Sequence, residues 1–200
     1  MADVSYNIPD LRPGEVFRVE QTIKRSRFIA SVGHTPGVEE AKAFIEQIKA
    51  EFEDARHNCW AYCAGAAGST DRIGASDDGE PHGTAGRPML TAVTHSGIGE
   101  VTVVVTRYFG GILLGTGGLV KAYQSSVKMA LEAVPTRIRT KTKRIKFSVE
   151  HRFVNQVLRK IETANGRILE KNFDMDADFD VEISLRLLLK NWKSSHEELF

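Results

Sequence analysis

Two groups of residues in this chain have the types and spacing that chemistry asks for. The first is centred on Gly110, Gly111, Gly115, Gly117 and Gly118, five glycines in nine positions, with Arg107 and Tyr108 just before them and Lys121 just after. Glycine takes positive φ without steric cost and lets another group approach the backbone closely. A glycine loop between a strand end and a helix start points free backbone N–H groups and the positive end of the helix dipole the same way, which suits an anion. Arg107 at the strand end and Lys121 on the first helical turn would add charge. The same glycines would also serve a tight strand-to-helix crossover, and the sequence leaves both readings open. GGILLGTGG is neither a Walker A loop nor a dinucleotide fingerprint.

The second group is acidic. Asp77, Asp78, Glu80 and His82 place three carboxylates and an imidazole within six residues, a set suited to a hard cation or to acid–base chemistry. The spacing matches neither an EF-hand loop nor a zinc signature. Asp-Asp-Gly and Glu-Pro also favour turns for local reasons, so no metal is assigned. Further cations stand at Lys24-Arg25-Ser26-Arg27, expected to be a hairpin tip with three positive charges, at Arg56 beside His57, and at Arg137, Arg139, Lys141, Lys143 and Arg144. Each run would also serve as a solvated surface. His57, His82 and His95 have no aspartate or serine at triad spacing, and there is no nucleophile elbow or activated-cysteine signature. No catalytic residue and no cofactor is assigned.

These groups need elements to hold them. Val101–Val105 is a continuous β-branched run, which predicts a strand covered on both faces. Val120, Tyr123, Val127, Ala130, Leu131 and Val134 recur at three and four, predicting a helix that Pro135 stops. Phe17–Ile23 and Phe28–Val32 predict the two strands of the hairpin. Thr35-Pro36 reads as a cap for a helix facing inward through Val38, Ala41, Ile45, Ile48 and Phe52. Cys59–Gly65 predicts a strand, Ala66–Gly86 a long polar loop, and Thr84 a cap for a helix from Gly86 to about His95. The composition break at Pro135 divides the chain into residues 1–135 and 136–200. The second part reads β-α-β-β, with Asp178–Leu187 alternating cleanly, which is most of a ferredoxin-like unit. Nothing after Leu187-Leu188-Leu189 supplies its last strand, so this domain is expected to be incomplete.

Composition excludes little but bounds much. With 200 residues, 42% hydrophobic and 26% charged, the chain suits one large or two small globular domains. No apolar run reaches a membrane span and the N-terminus lacks a secretory pattern. Cys59 and Cys63 are expected reduced and buried, in a cytoplasmic protein. The net charge of +1 carries no global polyanion signature, so any nucleic-acid contact must be a local patch.

The segments KRSRF (24–28), DARHNCWAY (54–62), SDDGEPHGTAGRPML (76–90) and GIGEVTVVVTRYFGGILLGTGGLVKAY (97–123) resemble the YigZ/IMPACT family, and the likeness extends over about residues 14–187. The resemblance implies an α+β protein. Its N-terminal domain would be like the second domain of small-subunit ribosomal protein S-five, and its C-terminal domain ferredoxin-like, as in the last domain of elongation factor G. Eukaryotic relatives regulate translation through a ribosome-associated scaffold, using a further recognition domain, so that partner does not transfer. Nucleic-acid or ribosome association follows for bacterial members by analogy of fold.

Three functions compete on these grounds. The favoured one is a non-enzymatic, translation-linked regulatory protein that binds RNA or the ribosome, with Lys24, Arg25, Ser26, Arg56, His57, Arg107, Tyr108, Lys121 and the five glycines around one phosphate-bearing cleft. The second is an enzyme acting on a phosphorylated small molecule through Asp77, Asp78, Glu80 and His82. The third is a protein–protein adaptor.

Overall fold

A β-branched run is buried on both faces only in the middle of a covered sheet. Val101–Val105 takes that place in the computed structural model, which describes residues 5–140, 142–164 and 166–184. In chain order the elements are β1 (Ser5–Pro9), β2 (Phe17–Ile23), β3 (Ser26–His34), α1 (Val38–Glu51), β4 (His57–Cys63), β5 (Ile73–Ser76), α2 (Gly86–Thr94) and β6 (Val101–Tyr108). There follow α3 (Thr116–Ala133), β7 (Thr136–Thr140), β8 (Thr142–Val149), a 3-10 turn (His151–Phe153), α4 (Val154–Thr163), β9 (Arg167–Phe173) and β10 (Ala177–Ser184). The fold is α+β. The described residues divide into two compact units, Tyr6–Ile138 and a second built from Ser5 and the described residues from Arg139 onward.

In the first unit the sheet order is β2-β3-β6-β4-β5, antiparallel throughout. Alternate valines of β6 serve opposite faces, as the period of two requires. Val104 meets Phe44, Ile45 and Ile48 of α1. Val103 and Val105 join Met89 and Val93 of α2 and Tyr123 and Val127 of α3. Each such valine contributes roughly 1.5–3 kcal/mol relative to exposure. β1 pairs with β7 in a separate ribbon.

Local expectations fail where tertiary contacts outbid local chemistry. Thr35 does not cap α1, whose N-cap is Gly37. The Thr35 hydroxyl lies 2.7 Å from that of Thr102, drawn into the sheet. Thr84 does not cap α2 either; its hydroxyl donates to the Pro81 carbonyl at 2.7 Å. The segment expected as one long loop contains β5, paired to β4. Because α3 begins at Thr116, Lys121 sits on its second turn and not its first.

In the second unit the antiparallel order β8-β10-β9 is that of three strands of a ferredoxin-like unit. α4 lays Val157, Leu158 and Ile161 on Phe147, Phe179 and Val181, and Phe147 stacks on its register partner Phe179 at 5.6 Å. On the other face Arg144 Nε donates to Asp180 Oδ1 at 2.7 Å and Lys146 Nζ lies 3.2 Å from Oδ2. The Arg144 hydrogen bond leads in pulling the Asp180 carboxyl down to about 2, against burial. Arg137 lies 3.3 Å from Asp10. The basic stretch after Pro135 is therefore partly neutralised. Lys141, Asn165 and the tail from residue 185, including the expected missing strand, lie outside the described residues.

Candidate functional site

The cations of the first unit gather where β2, β3, β4 and β6 share one end. β2 and β3 are joined by a two-residue loop, with Ile23 opposite Ser26. Lys24 (φ 46) and Arg25 (φ 65) are both left-handed. Such loops match the twist of their strands and favour Asn-Gly; other residues are strained in that region. Arg27 is bound to Glu20 through two hydrogen bonds of 2.7 and 2.8 Å, so the tip offers two cations and not the expected three.

The glycine loop is built against this tip. A Cβ on Gly110 would lie 2.0 Å from the carbonyl carbon and oxygen of Arg25, and the Gly110 N–H donates to the Ser26 hydroxyl at 3.2 Å. Only glycine permits that approach. Gly111 (φ 83) and Gly115 (φ 73) turn the chain. Gly115 is the N-cap of α3, which has no side-chain cap, and Gly117 and Gly118 lie in its first turn. Arg27 lies over the Tyr108 ring, 5.8 Å from its centroid; the Tyr108 hydroxyl donates to Asp54 at 2.7 Å, and that bond leads in raising its pKa. Phe109 is presented, being 51% exposed, with Leu113 at 81%.

Arg56, His57, Arg107, Phe109 and Leu113 line a cavity of about 210 Å³. Register makes it: Arg107 of β6 lies opposite His57 of β4 and Phe28 of β3. Arg107 is buried, and its Nη1 donates to Glu80 Oε1 at 2.7 Å, the two side chains being 8% and 2% exposed. The Tyr123 hydroxyl donates to the same oxygen at 2.8 Å. Burial, then Cys59 and Glu80, raise the Tyr123 phenol, so it stays neutral and donates. The Arg107 guanidinium lies between the rings of Phe28 and Phe109, at 5.7 and 5.6 Å. Its Nε is buried without an acceptor, and a buried donor left unmatched costs about 1–3 kcal/mol.

The acidic loop does not assemble a site of its own. Asp77 caps α2: Oδ1 accepts from the N–H groups of Ala85 (2.9 Å) and Gly86 (2.8 Å), and Oδ2 from that of Gly83 (2.8 Å). Burial pulls its pKa upward, but the three N–H groups and His82 together outweigh it and hold the carboxyl below its ordinary range. Asp78 accepts from the Asn58 N–H at 2.8 Å and lies 3.0 Å from Lys49 Nζ. Its carbonyl meets His57 Nδ1 at 2.9 Å. Glu80 belongs to Arg107, and His82 is fully exposed, 3.8 Å from Asp77. Among the described residues no group of three or more His, Cys, Asp or Glu is placed to hold a metal ion. Burial raises both thiols, that of Cys59 to about 12, so neither presents a thiolate.

The structure thus brings together Lys24, Arg25, Ser26 and Gly110, and beside them Arg56, His57 and Arg107. Lys121 is exposed on α3 and does not line the cavity. Leu113 is an addition, signalled only by apolar residues inside a glycine loop. The Glu80–Arg107–Tyr123 cluster joins residues 27 and 43 positions apart and had no local signal. Among the described residues no helix is long and apolar enough to cross a membrane.

Comparison with known proteins covers the same ground. The Impact N-terminal domain family matches residues 24–131. IMPACT family member YigZ of Escherichia coli (strain K12) is 44% identical over 90% of this chain and 85% of its own. An IMPACT family member of Haemophilus influenzae is 42% identical over 87% of this chain and 84% of its own. A crystal structure of a hypothetical protein matches with a TM-score of 0.70 at 41% identity, over 94% of this chain and 89% of that one.

Proposed function

The chain belongs to the IMPACT family, and from that membership and the site above we propose that it is a non-enzymatic, cytoplasmic, translation-linked regulatory protein that binds RNA, free or within the ribosome. The hairpin tip carries this reading. Lys24 and Arg25 are kept at left-handed φ, where Asn-Gly would be relaxed, and neither has an acidic partner among the described residues. Backbone strain of this kind clusters at functional sites. Arg56 adds a third cation with no acidic partner among the described residues, and half-exposed Phe109 offers a face on which a base can stack. A local patch of this size works in a chain whose net charge is only +1.

Sedimentation of the purified protein with ribosomes and with free single-stranded RNA across a salt series tests the reading. Each phosphate neutralised contributes a slope of about −0.7 in log K against log salt on single strands, so three cations give roughly −2. Absence of binding at low salt overturns the proposal.

A further inference from the structure

We propose that the cavity lined by Arg56, His57, Arg107, Phe109 and Leu113 takes the terminal phosphate monoester of an RNA strand, with the terminal base stacked on Phe109. This deepens the RNA-binding reading and rests on it.

Size argues first. Cavities that enclose a whole small ligand run to about 300–1,000 Å³, and this one is about 210 Å³. It suits a phosphate group with its first waters, while the nucleoside stays outside. The half-exposed ring of Phe109 at the rim gives that nucleoside an aromatic face.

Charge and hydrogen bonding argue second. Arg107 is held in place by Glu80, Phe28 and Phe109 and lines the cavity with the rest of its guanidinium, although its unmatched Nε is itself buried. A rigid guanidinium with spare donor capacity is matched to phosphate oxygens. Arg56 is exposed beside it with no acidic partner among the described residues, so the pair Arg107–Glu80 together with Arg56 leaves a net positive charge at the cavity.

Charge distinguishes an end from an internal linkage. His57 Nδ1 is held by the Asp78 carbonyl at 2.9 Å, and a carbonyl only accepts, so Nδ1 donates there. A terminal monoester, with a second pKa of ~6, carries nearly twice the charge of an internal phosphodiester for the two arginines.

Fluorescence anisotropy with the full chain tests the proposal. The probes are one short RNA sequence with a 5′-phosphate, with a 3′-phosphate, and with hydroxyls at both ends, plus free 5′-AMP and inorganic phosphate as competitors. One phosphorylated strand should bind about tenfold tighter than the hydroxyl-ended one, the yield of one charge-assisted bidentate contact, and the better arm identifies the end. Arg56→Ala, at an exposed position, removes that preference without unfolding the protein. Equal affinity for all three strands overturns the proposal while the RNA reading stands. A preference that survives Arg56→Ala also overturns it, by placing the end elsewhere. If 5′-AMP binds as tightly as the phosphorylated strand, the ligand is a free nucleotide and the RNA end is excluded. No binding of any strand overturns both readings together.

Discussion

The glycine-loop end of the first sheet and the acidic loop between β5 and α2 carry comparable numbers of charges and reach opposite fates. Asp77, Asp78 and Glu80 each have at least two partners inside the protein: backbone N–H groups, Lys49, Arg107 or Tyr123. Lys24, Arg25 and Arg56 have no acidic partner among the described residues. A carboxylate spent on helix N–H groups and on a buried guanidinium is part of the framework. A cation kept on strained backbone beside a cavity is available to a ligand. Arg107 joins the two regions, since the acidic loop supplies the anion that fixes it under the cationic site.

Breaking that joint should produce the largest effect. Glu80→Ala leaves the Arg107 guanidinium buried without its counter-charge, and breaking one side of such a pair costs about 3–5 kcal/mol. Urea denaturation should show it, and Glu80→Gln should recover part by still accepting from Tyr123 or Arg107. A loss below 1 kcal/mol would mean that the acidic loop is not framework.

Gly110→Ala attacks the packing of the two loops. Its methyl would overlap the Arg25 carbonyl, and overpacking of this kind costs about 1–3 kcal/mol. The hairpin tip must then move, so RNA affinity should fall with stability; a variant as stable as the parent would remove the close approach from the account.

Asp77→Ala removes the cap of α2 and should cost about 1–2 kcal/mol near neutral pH. The folded pKa of Asp77 lies below its ordinary value of 3.8. Its contribution is therefore present above that value and is lost as pH falls through the depressed folded one. The difference in melting temperature between parent and variant should shrink below about pH 4; a difference that stays constant into stronger acid would contradict the cap.

The smallest effect on stability separates function from framework. Lys24→Asn combined with Arg25→Gly installs the dipeptide the turn prefers and removes two cations. Thermal melting should show stability unchanged or raised by up to about 1 kcal/mol. Destabilisation would mean that the two side chains are structural.

Much of this was legible in the sequence, for reasons that are local. Val101–Val105 announced a strand buried on both faces because period and residue type agree. The hairpin, the glycine loop and the β-α-β-β order of the second unit likewise follow from patterns within a few residues. What was not legible depends on distance. Thr35 and Thr84 have good cap chemistry, yet Thr102 and Pro81 compete for their hydroxyls, and Asp77 reaches α2 from nine positions away. Arg107 read as an available cation because nothing near it in sequence is acidic. Only the register of β6 between β3 and β4 brings it beside Glu80 and His57.

The most direct test of the central claim is the salt dependence of single-stranded RNA binding for the parent and for the Lys24→Asn/Arg25→Gly variant, measured side by side. If the hairpin tip grips phosphates, the parent binds with a slope near −2 and the variant loses affinity and well over half of that slope, about −0.7 per cation removed. Equal slopes in the two proteins, or no binding by the parent at low salt, would contradict it.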